Sequence, residues 1–284
     1  MSGAGAVHRA EIAGAALAWE EWGTADPGGD GVVLLVHGFP HGRWLWREAA
    51  AALVAPDAAA WRLIAPDLPG FGDSPARPDA PPTLDAWADL LVALLDARGV
   101  RRAAVAGLSM GGYVALALWR RHPGRVRALV LADTRATADT PEARERRDAL
   151  VALGRAEGAA PLAATQLEGA LGRATRADAG RAARFAELLG GASLDGMVTA
   201  LHAMRDRPDA SATAAAIVVP TLVVGGADDA ITRPTELRAL AAAIPGARLT
   251  LLDGAGHASA WEVPQAFAEA ARSVLAADPG HIRR

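Results

Sequence analysis

Short aliphatic runs alternate with amphipathic stretches along this 284-residue chain, and that alternation constrains the fold more than any other feature. Val32–Val36 reads Val-Val-Leu-Leu-Val between Gly31 and Gly38. Five consecutive apolar residues between turn formers suit a strand buried on both faces. Residues 63–65, 103–106, 126–131, 218–224 and 249–252 repeat the pattern, and residues 7–12 and 17–22 flank Ala13-Gly14 as a hairpin. Helical patterns fall between the strands, over residues 44–54, 84–98, 110–122, 234–244 and 263–276. Thr83 is the expected N-cap of the second helix, Gly99 closes it, and Pro123-Gly124 stops the third. Aliphatic strands alternating with helices predict an α/β fold, a parallel sheet with helices on both faces.

The strand signal disappears from residue 134 to residue 216, where Arg-, Ala- and Leu-rich helical stretches follow, one opening at Thr140-Pro141-Glu142. Because strands then resume, residues 1–133 and 217–284 are expected to form one core domain and residues 134–216 a helical cap. Residues 26–30 (DPGGD) read as a surface turn, and the chain is expected to fray after Asp278.

Composition excludes several functions. The 29 basic residues are all Arg, and against 32 acids they leave a net charge of −3, so neither nucleic acid nor an anionic membrane is the expected partner. With no Cys there is no thiolate nucleophile and no thiolate metal site. The N-terminal stretch lacks the basic start and apolar run of a signal peptide, so the expected location is cytoplasmic. Residues 103–119 run uncharged, but internal Gly107, Gly111 and Gly112 suit a strand, turn and helix better than a membrane span. Gly254-x-Gly256 follows a strand, yet Ser259 stands where a dinucleotide fingerprint has its third Gly, and neither a P-loop nor a His-Glu-x-x-His is present. No cofactor and no metal are expected.

The sharpest chemical signal is Gly107-Leu108-Ser109-Met110-Gly111, a G-x-S-x-G between a strand and a helix. A sharp bend there lifts the Ser109 hydroxyl above the sheet edge, and flanking glycines remove side chains that would clash. A serine hydroxyl needs a base, normally a His oriented by a carboxylate. His257 follows the last strand in Asp253-Gly254-Ala255-Gly256-His257 and suits that role. His37 reads as a brace for its turn, His41 as a residue of the binding pocket, and His8, His122, His202 and His281 as surface or helix-packing residues. Asp228 and Asp229 follow the strand ending at Val224, spacing does not choose between them, and Asp133 is a third candidate acid. Charge developing on a carbonyl oxygen requires preorganised donors, here the backbone N–H groups of Met110 and Phe39, since Pro40 has none.

His37-Gly38-Phe39-Pro40, Asp67-Leu68-Pro69-Gly70-Phe71-Gly72-Asp73-Ser74, Gly107-Leu108-Ser109-Met110-Gly111-Gly112, Gly226-Ala227-Asp228-Asp229-Ala230-Ile231-Thr232 and Gly254-Ala255-Gly256-His257 together resemble the serial landmarks of the α/β-hydrolase superfamily. The resemblance is greatest to bacterial enol-lactonase-like hydrolases and small carboxylesterases. It implies a mostly parallel eight-stranded sheet with a helical cap, and it favours Asp229 over Asp228. It further implies a serine hydrolase of small carboxylic esters or lactones, working through an acyl-enzyme, as a monomer or homodimer. Dehalogenases and epoxide hydrolases are set aside, because Ser109 is not a carboxylate. Arg43 is the expected partner of a substrate carboxylate, Trp44 or Trp46 of an acyl group, and Met197, Met204 and His202 of the cap side of the pocket. The same triad supports perhydrolysis, amide cleavage or C–C bond hydrolysis, and the fold also serves slow-turnover signalling receptors.

Overall fold

A computed structural model describes residues 5–23, 31–55, 61–77, 79, 83–167 and 169–276. The turn expected at residues 26–30, the chain after Asp278 and His281 lie outside the described residues. Among them the strands are β1 (Ala6–Ile12), β2 (Ala15–Gly23), β3 (Val32–Val36), β4 (Arg62–Pro66), β5 (Ala103–Leu108), β6 (Val126–Ala132), β7 (Thr221–Gly226) and β8 (Arg248–Leu252). They form one sheet in the order β1-β2-β4-β3-β5-β6-β7-β8. β2 runs antiparallel to both neighbours, and β4 through β8 are parallel.

Every residue of β3, β5 and β6 is buried, so the uninterrupted apolar runs belong to strands covered on both faces. At the sheet margin β1 is largely exposed. Ala13 and Gly14 take φ of 49° and 75°, the pair of positive values that a two-residue hairpin turn demands. β7 begins at Thr221 rather than at residue 218, because pairing with β6 starts at Leu129–Thr221 and the Val218 side chain is 66% exposed. The stretch had strand composition but no ladder to join.

The helices are α1 (Arg47–Leu53), α2 (Leu84–Ala97), α3 (Met110–Arg121), α4 (Pro141–Glu157), α5 (Ala159–Thr165), α6 (Arg173–Ala177), α7 (Ala179–Leu189), α8 (Leu194–Arg205), α9 (Ser211–Ala215), α10 (Pro234–Ala243), α11 (Ser259–Glu262) and α12 (Pro264–Leu275). Thr83 caps α2 by accepting from the Ala86 N–H, and Thr140 caps α4 through Ala143. α1 packs on α12 and α2 on α3, which makes two helical layers against the sheet. No helix among the described residues is long and apolar enough to cross a membrane, and the uncharged stretch 103–119 divides into β5, a turn and α3.

The six helices α4 to α9 fill the interval between β6 and β7. At one point they meet the core where Ser193 donates to the Gly70 carbonyl through both its N–H and its hydroxyl, each at 2.9 Å. At another, the Ala170 carbonyl accepts the N–H of His257 at 2.8 Å. Because the strands from β4 to β8 are parallel, the loops at their carboxyl ends share one rim, and two of those loops, after β4 and after β8, are tied to this interval by Ser193 and Ala170.

Candidate active site

β5 turns into α3 at Ser109, whose φ of 55° and ψ of −114° place a non-glycine residue in a costly conformation, of order 1–3 kcal/mol. Crowding imposes the flanking glycines. A Cβ on Gly107 would lie 2.2 Å from the Gly111 oxygen, and one on Gly111 would lie 2.1 Å from the Val36 oxygen. Ser109 is held by its N–H, which donates to Ala132 O at 2.8 Å, and by its carbonyl, which accepts from the Thr134 hydroxyl. The turn therefore points the hydroxyl outward while both ends are clamped.

His257 Nε2 lies 2.8 Å from Ser109 Oγ, and His257 Nδ1 lies 2.8 Å from Asp229 Oδ2. The other carboxylate oxygen of Asp229 accepts the N–H groups of Ile231 and Thr232 at 2.8 and 2.9 Å. With Oδ2 accepting, Nδ1 carries the proton and Nε2 is free to accept from the serine. Burial pulls the His257 pKa down, but the facing Asp229 carboxylate, with Asp133 behind it, leaves it above the ordinary imidazole value. Of the other two candidate acids, Asp228 pairs with Arg173 at the surface. Asp133 accepts from the Gly226 N–H and the Ser259 hydroxyl instead of from His257. Burial, reinforced by the Asp229 charge, drives the Asp133 carboxyl well above the usual carboxylate range.

A model of the alpha/beta hydrolase fold family matches residues 31–264. The chain belongs to that family. Among the family's members it is 33% identical over 241 residues to a pimeloyl-[acyl-carrier protein] methyl ester esterase of Neisseria meningitidis, covering 83% of this chain and 90% of that one. An esterase of Thermogutta terrifontis, solved with malate bound, superposes with a TM-score of 0.86 at 33% identity, covering 95% and 98% of the two chains. An enol-lactonase of Burkholderia xenovorans superposes with a TM-score of 0.84 at 27% identity, covering 95% and 100%.

In this α/β hydrolase, Ser109 and His257 open onto a cleft of about 540 Å³ whose lining includes Phe39, His41, Tyr113 and Met204. Met110 opens α3, so its N–H belongs to the first turn, which has no intrahelical acceptor. His41, expected in the pocket, is there. Burial, and then the charges of His257 and His37, hold its pKa well below the ordinary value, so its ring is neutral at pH 7. His37 braces its turn as expected: Nδ1 meets the Gly38 carbonyl at 2.8 Å and Nε2 accepts the Leu68 N–H at 3.0 Å.

Several residues expected near substrate lie elsewhere. Arg43 is buried behind the rim, where it pairs with Asp67 and, at 2.6 Å, with Asp73. Trp44 and Trp46 sit on a 3-10 turn, Arg43–Trp46, whose three-residue period sends side chains two apart in different directions. Trp46 goes into the core against Phe267, with ring centroids 5.8 Å apart, while Trp44 backs His41 at 5.3 Å rather than lining the cleft. On α8 the buried stripe runs through Met197, Ala200, Leu201 and Met204. Only the last reaches the cleft, two turns beyond Met197. His202 falls off that stripe, half-buried near Arg205 and Arg155.

Tyr113, Arg135, Arg147 and Gln166 also line the cleft and carried no sequence signal of their own, whereas Ile231 and Thr232 close the landmark that begins at Gly226. Glu262 likewise carries no sequence signal. Its two carboxylate oxygens accept the N–H groups of Gly256 and Gly172, each at 2.7 Å, tying the His257 loop to the segment before α6. The fit leaves no room for side chains, since a Cβ on Gly172 would lie 2.3 Å from the Gly254 oxygen.

Proposed function

We propose that this chain is a serine hydrolase of small carboxylic esters or lactones, working through an acyl-enzyme. The observation that carries the reading is the unbroken chain of bonds from Asp229 through His257 to Ser109, 2.8 Å at each link. Ser109 Oγ attacks the substrate carbonyl carbon as its proton passes to His257 Nε2, and Asp229 stabilises the imidazolium that results. The N–H groups of Phe39 and Met110 receive the oxyanion, with the positive end of α3 adding to its stabilisation. Collapse breaks the bond to the leaving alcohol, which takes the proton from Nε2. A water molecule then gives its proton to the same nitrogen as it attacks the acyl carbon, and collapse releases the acid while Nε2 returns that proton to the departing Ser109 Oγ.

Residues 134–216 act as a cap over this machinery, and their side chains Arg135, Arg147, Gln166 and Met204 in the cleft lining support that role. None of these steps draws on a cofactor. Similarity to esterases and an enol-lactonase supports the substrate class. The test is labelling with a fluorophosphonate followed by peptide mapping. Ser109 is the expected adduct site, and modification of a different residue, or full ester turnover by Ser109→Ala, refutes the reading.

A further inference from the structure

The cleft lining holds two guanidinium groups, Arg135 and Arg147, and no carboxylate among the described residues. Behind that lining, ion pairs join three arginines to two acids. Arg135 reaches Glu236 at 2.8 Å and Asp139 at 3.5 Å, Arg207 reaches Asp139 at 2.7 Å, and Arg147 Nε pairs with Asp139 as well. The group carries one more positive charge than negative. Burial opposes ionisation of Asp139, but Arg147 and Arg207 outweigh it and keep its pKa below the ordinary value.

The three arginines are unequally partnered, and Arg147 has the weakest set. Arg207 is almost wholly buried, donates also to the carbonyls of Met204 and Thr137, and stacks over the Tyr113 ring at 4.1 Å. Arg135 is held between two acids. Arg147 gives only Nε to Asp139, and its Nη1 meets nothing better than the Met204 sulfur at 3.6 Å. A thioether is a weak acceptor, whereas a guanidinium presents five N–H donors in a fork that matches a carboxylate. The outer edge of that fork belongs to a residue lining the cleft.

We infer that Arg147, assisted by Arg135, binds a carboxylate that the substrate carries apart from its scissile ester or lactone carbonyl. The inference rests on the hydrolase reading above and specifies its substrate class: anionic half-esters or carboxylated lactones, with the acid end held among α4, α8 and the end of β6.

The test compares 4-nitrophenyl esters of adipic and hexanoic acid, which have the same chain length and leaving group and differ by one terminal carboxylate. The expected kcat/KM for the adipate ester is at least about tenfold higher, carried mainly by KM. Arg147→Gln is expected to bring the ratio near one, and Arg147→Lys to retain part of it, whereas an arginine that only staples α4 to Asp139 leaves the ratio unchanged. A wild-type ratio of one, or a ratio untouched by Arg147→Gln, overturns the inference. Protection of Ser109 from fluorophosphonate provides a readout free of turnover: adipate is expected to slow labelling and neutral adipamide not to. Failure of Ser109 to label at all counts against the hydrolase reading, while labelling that adipate and adipamide slow equally counts against the anion site alone.

Discussion

At the sheet rim, Ser109, His257 and Asp229 arrive on three loops and meet through two hydrogen bonds of 2.8 Å. Across the cleft, Arg147 and Met204 arrive on α4 and α8, and the contact between them is a loose 3.6 Å. The rim is overdetermined: glycine crowding and backbone hydrogen bonds hold the Ser109 turn, and the Asp229 carboxylate holds the His257 ring. The wall has donors to spare. In the reading proposed above, one region moves a proton, which needs fixed distances, and the other chooses a partner, which needs unsatisfied groups.

Perturbing each region separately tests that division. The largest effect is expected from Ser109→Ala, a loss of about four to six orders of magnitude in ester turnover on every substrate, read by initial rates. Next is Asp229→Asn, with a loss of about 10⁴ in kcat. Wild-type kcat/KM should fall as pH drops through a pKa above the ordinary imidazole value, because a protonated His257 cannot accept the serine proton. In Asp229→Asn the larger raising influence is gone and only that of Asp133 remains, so the acid limb of the pH–rate profile should shift to lower pH. If Asp133→Asn shifts that limb as far, the assignment of the acid is wrong.

Arg43→Ala breaks the comparison in another way. The side chain resembles a wall residue in sequence, but its partners Asp67 and Asp73 lie behind the rim. Removing it leaves the buried Asp67 short of its main partner and should cost about 3–5 kcal/mol in a urea melt, with no change in the adipate-to-hexanoate ratio. A changed ratio restores Arg43 as the substrate's partner. The smallest expected effect is that of Gly172→Ala. Its Cβ meets the Gly254 carbonyl, so overpacking of about 1–3 kcal/mol and a lower kcat should appear together. Lost stability with unaltered kcat would mean that the seam between residues 170–172 and the His257 loop does not position the imidazole.

The rim residues stood out in the sequence because each lies in the loop after a strand, Ser109 and Asp229 after the fully buried β5 and β7 and His257 after the partly exposed β8. There a glycine or a lone polar residue interrupts an apolar run, and the interruption is visible without tertiary information. β3 was legible to the residue for the same reason, its run being bounded at both ends. The wall was not legible. Which of the 29 arginines faces the cleft depends on how α4 docks, and nothing in the local pattern distinguishes Arg147 from Arg146. The choice among Met197, His202 and Met204 turns on the rotation of α8, which its contacts set rather than its composition. Trp44 and Trp46 illustrate the same point over two residues, where the tight turn alone separates a side chain backing His41 from one in the core.

Because the Ala170 carbonyl accepts the His257 N–H, and Gly172 shares the Glu262 carboxylate with Gly256, the proposed proton acceptor and this part of the proposed cap, the roof of the cleft, are tied together. A hinge that admits substrate has to lie elsewhere, since swinging this corner open would drag the imidazole off the serine. Anyone exchanging the roof for that of a relative to change selectivity should carry residues 170–172 across intact.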